Sequence, residues 1–175
     1  MTYRIRHFAP GLIPPDLLLQ VGRLRVETWG SALASQFVVD GLWVDESDRD
    51  AHHFLVCASS DPTELLGSGR VVLVERVEDL DSHDLYCDRH LEILGPVAEL
   101  GRLVVRPDRR GRGIGTLLTQ HRQALAKTLG VRSLVAFVPQ FRSDRLLESG
   151  WIQVAPSRPA LGAGFLLVPI YRHVE

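Results

Sequence analysis

The stretch "RPDRRGRGIGTLL", Arg106 to Leu118, decides how the rest of the chain is read. It follows an apolar run, "VAELGRLVV", that suits a strand. Arg106-Pro107 stops that strand, because a residue before proline leans extended. It leads into Ile114, Leu117, Leu118, His121, Leu125 and Leu129, which recur at helical spacing, with Gly130 placed to close the helix. A strand, a basic glycine-rich turn and a helix make a phosphate-binding arrangement. The helix N-terminus leaves N–H donors free and carries partial positive charge. Glycines let those donors approach an anion with no Cβ in the way. Arg110 and Arg112 add formal charge.

Two well-known phosphate loops do not fit. The P-loop pattern needs Gly-Lys followed by Ser or Thr, and no Gly-Lys occurs here. The dinucleotide fingerprint needs its third glycine where this chain has Thr116, and no acidic residue follows on a strand about 20 positions later. What remains is "RGRGIG", Arg110 to Gly115, in an Arg-x-x-Gly-x-Gly spacing.

The flanks supply the context for those six residues. Before them runs "ELGRLVV"; after them come the amphipathic "TLLTQHRQALAKTLG", the apolar "LVAFVP" and the late "LLESGW". Together they resemble the acyl-CoA pyrophosphate loop and its surroundings in the GNAT N-acetyltransferases, over residues 97 to 155. The resemblance implies a GNAT fold, α/β, with a mixed, mostly antiparallel sheet of about seven strands flanked by helices. It implies one N-acetyltransferase domain over residues 1–175, with acetyl-CoA as the acyl donor. Backbone groups of Leu103, Val104 and Val105 would pair with the pantetheine arm. The N–H groups of Arg110, Gly111, Arg112, Gly113, Ile114, Gly115 and Thr116 would hold the pyrophosphate. The acceptor would be a primary amine of a small molecule or peptide. Dimers are common in the family, so a homodimer is possible.

Along the rest of the chain, "TYRIRHFA" alternates like a strand. "PPDLLLQVGRLRVETW" reads as a helix that starts at Pro15 and Asp16, with Leu17, Val21 and Leu24 on one stripe. Val39 to Asp50 is an acidic loop around Trp43. "HHFLVCAS" and "LLGSGRVVLVE" form a hairpin about the turn "SDPT". Glu75 to Gly95 is polar and irregular, with a short helix expected near His90 to Leu94. "SLVAFVP" is a strand, "RSDRLLES" a short helix ended by Gly150, and "WIQVA" and "GFLLVPIYRHV" two closing strands. Strands and helices mix without strict alternation, which independently points to α/β with a mixed sheet.

Composition narrows the function. The chain has 175 residues, 45% of them hydrophobic, enough for one sizeable core. A net charge of −1 argues against nucleic-acid binding through bulk charge, so phosphate binding must come from local placement. The arginines of "RRGR" have no aromatics interleaved for base stacking. No apolar run reaches the roughly 18 residues of a membrane span. The first ten residues carry no signal-peptide core, and Cys57 and Cys87 make no disulfide framework or metal spacing. The expectation is a soluble, cytoplasmic protein.

Acyl transfer to an amine needs a group to remove a proton, and an acid helps the thiolate leave. Family members often place a tyrosine acid on the late short helix; here that position is Leu146. Ser143 lies nearby, most simply as a helix-start hydroxyl. Glu99 is the candidate base. It is placed on one strand face with Val97, Gly101, Leu103 and Val105, where it is expected to be partly desolvated. The alternative is a buried ion pair between Glu99 and Arg70 or Arg102.

"LRVETW", Asp45, Asp48, Arg70, Glu99 and Arg102 are spaced like markers of a GNAT-related branch that includes the acyl-homoserine-lactone synthases. There, such charged residues shape the acceptor site, so a longer-chain N-acyl synthase is the alternative activity. The short chain and the full glycine loop count against a synthase, and the same N-terminal features, with Asp45, Asp48 and Ala51-His52-His53, also resemble small bacterial acetyltransferases of the ElaA kind, the favoured reading. Trp29, Trp43, Arg70 and Arg102 are the candidate acceptor-binding residues, with Tyr86 a further aromatic candidate. For the aromatics, core or loop-anchoring roles are the alternative. His52 and His53 are expected as one core and one surface residue.

Overall fold

The computed structural model describes residues 2–34, 38–86, 92–159 and 165–174, without the side chains of 31–34. Cys87 and the start of the expected helix near His90 fall outside them. The elements are β1 (Tyr3–Phe8), α1 (Pro15–Ala34), β2 (His52–Ala58), β3 (Leu65–Val74), β4 (Val97–Val105), α2 (Ile114–Thr128), β5 (Ser133–Pro139), α3 (Gln140–Glu148), β6 (Ile152–Gln153), β7 (Arg158–Pro159) and β8 (Leu166–His173). The chain divides into two compact units, Met1–Val72 with Arg102–Arg122, and Leu73–Gly101 with Gln123–Glu175.

In the first unit the strands lie in the order β1-β2-β3-β4. The expected hairpin forms, with His52 opposite Val71 and Phe54 opposite Gly69. Leu17, Val21 and Leu24 of α1 are buried as their spacing predicts. Ile13, Leu17 and Val21 pack with Leu55, and Phe8, Leu18 and Leu65 close the cluster. Gly30, at φ 74° and ψ 170°, interrupts the helix, a conformation that glycine adopts without steric cost. Gly22 lets the acidic loop lie against α1: a Cβ there would sit 2.8 Å from Val44 Cγ2.

α2 packs on β3 through two glycines. A Cβ at Gly67 would meet Ile114 Cγ2 and the Val104 carbonyl oxygen at 3.0 Å, and one at Gly69 would meet Arg122 Nε at 3.1 Å. The buried stripe of α2 therefore runs Ile114, Leu118, Arg122, Ala126. This corrects the expected stripe, in which His121 and Leu129 belonged to the core. His121 is exposed and Leu129 is 47% exposed. An arginine replaces them because its guanidinium finds acceptors there, the Leu118 and Arg70 carbonyls at 3.4 and 3.3 Å.

In the second unit the order is β4-β5-β8-β6, with β7 beside β8. β4 pairs parallel with β5 from Val97–Ser133 to Glu99–Val135. β5 and β8 pair antiparallel over their whole length, Ser133–His173 to Pro139–Leu167. Among the described residues the sheet has eight strands where about seven were expected, and the fold is mixed α/β and mostly antiparallel, as expected. The extra strand, β7, is two residues long and buries neither side chain, so it leaves no hydrophobic signal in the sequence. Among the described residues, Glu75 to Gly95 includes the 3-10 turns Val77–Asp79 and His83–Leu85, fixed by buried Val77, Leu80 and Tyr86.

Candidate functional site

The glycine loop forms as its sequence demands. β4 ends at Val105, and the Arg106 N–H donates to the Leu66 carbonyl at 2.9 Å, tying the turn to β3. Pro107–Arg109 makes a single 3-10 turn. Gly111 and Gly113 then take φ of 73° and 81°, the left-handed region that favours glycine. Among the described residues, no atom outside the chain neighbours lies within 4 Å of where a Cβ would stand on either, so conformation, not crowding, requires glycine there. The Leu117 N–H donates to the Gly113 carbonyl at 2.9 Å, the first turn of α2. The N–H groups of Ile114, Gly115 and Thr116 precede it and have no acceptor within the helix. Ile114, 1% exposed, anchors that end of α2.

The four arginines of the stretch have separate roles. Arg106 pairs with Glu64 at 2.8 Å and with Asp108 at 2.6 Å; Arg109 pairs with Glu64 at 3.3 Å. Arg110 turns back toward the ends of two elements. Its Nε donates to the Val105 carbonyl at 3.4 Å and its Nη2 to the Thr28 carbonyl at 3.2 Å, close to where α1 breaks. Arg112 is exposed.

The same unit holds a buried ionic cluster. Arg25 and Asp48 form a bidentate pair at 2.7 and 2.9 Å, with Arg25 1% and Asp48 0% exposed. Arg70 donates to Asp48 at 3.1 Å and also to Asp45. Arg102 donates to Asp45 at 2.6 Å and lies over the Trp43 ring, 4.4 Å from its centroid. His53, 1% exposed, is bonded through Nε2 to the Asp48 carbonyl oxygen at 2.7 Å. Burial alone would raise the Asp48 carboxyl. The hydrogen bonds and charge of Arg25, with the charge of Arg70, more than offset this and hold it well below the usual range. Asp45 is lowered too, burial being outweighed by Arg70 and Arg102. Burial, then the like charge of Arg70, pulls Arg102 down, and Asp45 opposes this. Within the cluster, the buried Arg25 Nε has no hydrogen-bond partner among the described residues.

Of the expected acceptor residues, Trp43, Arg70 and Arg102 meet in this cluster, whereas Trp29 is half-buried on α1. Arg25 lies within the marker "LRVETW" but is not among the candidate acceptor residues, because an arginine in a helical stretch reads as a solvated position. His52 and His53 are both buried, against the expected division into one core and one surface residue. His52 is only 9% exposed, bonded through Nδ1 to His7 Nε2 at 3.0 Å.

Glu99 falls in the second unit, half-buried on β4, and accepts a hydrogen bond from Ser82 Oγ. Arg70 and Arg102 instead pair with aspartates, so the expected alternative pairing for Glu99 is taken by Asp45 and Asp48. Arg102 has φ 52°, which interrupts the two-residue alternation of β4. The single face expected for Glu99, Leu103 and Val105 is broken at that residue. Tyr86 is fully buried, a core residue and not a pocket lining. Ser143 lies inside α3 and donates to the Gln140 carbonyl three residues back at 2.8 Å; Pro139, not Ser143, stands at the helix start.

The loop fits the group its sequence implies. Free helix-start N–H groups, two left-handed glycines with open space above them and a flanking arginine suit a diphosphate. Among the described residues no group of three or more His, Cys, Asp or Glu could hold a metal ion. No helix among them is long and apolar enough to cross a membrane.

Comparison with known proteins places the chain in a family. Residues 20–151 match the family model described as the acetyltransferase (GNAT) family. No curated protein sequence matches. Among solved structures, a CoA-dependent acyl-homoserine lactone synthase, BjaI, superposes with a TM-score of 0.76 at 18% identity, over 99% of this chain and 84% of that one. An acyl-CoA N-acyltransferase from Pseudomonas aeruginosa gives 0.70 at 17% identity, over 98% and 99%. ElaA from Escherichia coli gives 0.66 at 16% identity, over 98% and 99%. At such identities these likenesses bear on the fold alone. From the family match over most of its length, the chain belongs to the GNAT acetyltransferase family and is an acyl-transferring enzyme.

Proposed function

We propose that this enzyme moves an acetyl group from acetyl-CoA to a primary amine of a small molecule or peptide, by direct attack, in the cytoplasm. The observation that carries the reading is the open glycine cradle at the start of α2, with Gly111 and Gly113 both left-handed. In this reading the N–H groups from Arg110 to Thr116 hold the pyrophosphate. Backbone groups of Leu103, Val104 and Val105 pair with the pantetheine arm. The donor supplies an electrophilic thioester carbon and a thiolate leaving group. Glu99 accepts the proton of the attacking amine, and its half-buried position on β4 supports that role. Leu146 has no proton to give, and the Ser143 hydroxyl donates to the Gln140 carbonyl, so neither serves as the acid for the departing thiolate.

The test is a panel of primary amines with acetyl-CoA, read as release of the CoA thiol. Release that requires one class of amine and is abolished in Glu99→Gln, with CoA affinity kept, supports the reading. Release unaffected by Glu99→Gln removes Glu99 as base.

A second reading, a longer-chain N-acyl synthase, is favoured by the Arg25, Asp45, Asp48, Arg70, Arg102 cluster and by the fold likeness to an acyl-homoserine lactone synthase. Acyl-CoAs of graded chain length, with products read by mass spectrometry, separate the two. Turnover restricted to acetyl-CoA rejects the synthase.

A further inference from the structure

We infer that Ser82, carried on the turn between β3 and β4, is the positioning residue that orients the Glu99 carboxylate. The inference rests on the reading of Glu99 as the base. Ser82 Oγ donates to Glu99 Oε1. A glutamate on a strand has several freely rotating side-chain bonds, and a bond to one oxygen fixes the rotamer and leaves Oε2 available to the amine.

The segment around Ser82 is built to hold it still. Leu80 and Tyr86, 3% and 0% exposed, anchor it on both sides. His83 Nδ1 bonds the Leu80 carbonyl oxygen at 2.9 Å, and the Asp79 carboxylate accepts from the Arg76 N–H at 3.1 Å. Backbone bonds complete the turns, including Leu80 N–H to Val77 and Tyr86 N–H to His83 at 3.2 and 2.9 Å. None of these uses the Ser82 hydroxyl, which lies against the buried Tyr86 phenol as well as Glu99. Tyr86 cannot take its place as a proton carrier. Burial first, then the Glu99 charge, pushes its phenol well above its ordinary value, and it is sealed from solvent.

The experiment compares Ser82→Ala, Ser82→Thr and Glu99→Gln with the parent enzyme. In protein labelled with 13C-glutamate, the Glu99 carboxyl resonance is identified by its loss in Glu99→Gln. It moves in Ser82→Ala and returns in Ser82→Thr, which keeps the hydroxyl. With acetyl-CoA and the amine giving fastest thiol release, Ser82→Ala lowers kcat roughly ten- to a hundredfold, the scale of a misplaced catalytic group. The Kd for CoA stays unchanged, and Ser82→Thr restores kcat. An unmoved resonance, or an unchanged kcat in Ser82→Ala while Glu99→Gln is impaired, overturns the inference alone. An unchanged kcat in Glu99→Gln overturns the base reading, and this inference with it.

Discussion

Asp48→Ala should be among the most damaging single substitutions in the first unit. Asp48 accepts both terminal nitrogens of Arg25 at 2.7 and 2.9 Å, Arg70 at 3.1 Å and the Asp45 N–H at 3.0 Å, at 0% exposure. Removing it leaves Arg25, 1% exposed, with a full charge and the Trp43 carbonyl at 3.1 Å. Arg70 keeps Asp45 and is less affected. Breaking one side of a buried pair costs about 3–5 kcal/mol, because the surviving charge stays desolvated. For a domain of this size that corresponds to a Tm lower by roughly 6–20 °C. The assay is urea unfolding followed by tryptophan fluorescence, with calorimetry for Tm. The orphan charge, not the lost contact, is the cause, so Arg25→Met with Asp48→Leu should lose less than Asp48→Ala alone. A loss under about 1 kcal/mol at unchanged m-value refutes the reasoning, as does a double variant worse than the single one.

Gly67→Ala should cost about 1–3 kcal/mol, since its Cβ would press on Ile114 and on the unyielding Val104 carbonyl; the same chemical-denaturation assay measures it. It should also weaken CoA binding, because Ile114 sets the start of α2. His7, His52 and His53 are all lowered from an ordinary 6.5, first by burial. The unfolded chain then binds more protons just below that value, so stability is whole above pH 6.5 and falls as pH drops through the folded-state values. Denaturation midpoints at pH 7.5 and 5.5 test this, and His53→Gln, retaining a donor to the Asp48 carbonyl, should flatten the slope. Glu64→Ala should cost under about 1 kcal/mol despite breaking two ion pairs, because both sit partly in solvent.

The glycine loop was legible because it is local: strand, turn and helix follow one another, and positive φ leaves glycine as its signature. The hairpin and the α1 stripe were legible for the same reason. Arg25 and Arg122 were not, since a buried arginine looks like a surface one until its acceptors arrive from distant residues. Ser82 was invisible because Glu75 to Gly95 has neither helical nor strand periodicity; its turns are fixed by Leu80 and Tyr86, separated by polar residues. The broken face of β4 follows from the φ of a single residue, Arg102, which no hydrophobic pattern encodes.

The central claim, that the loop from Arg110 to Thr116 holds an acyl-CoA, is tested most directly by the effect of CoA on stability. CoA at 100 times its dissociation constant should stabilise the enzyme by about 2.7 kcal/mol. The paired Arg110→Ala, Gly113→Ala variant should need far more CoA for the same gain, because a Cβ at Gly113 strains a φ of 81°. No stabilisation of the parent enzyme, or equal stabilisation of parent and variant, contradicts the account.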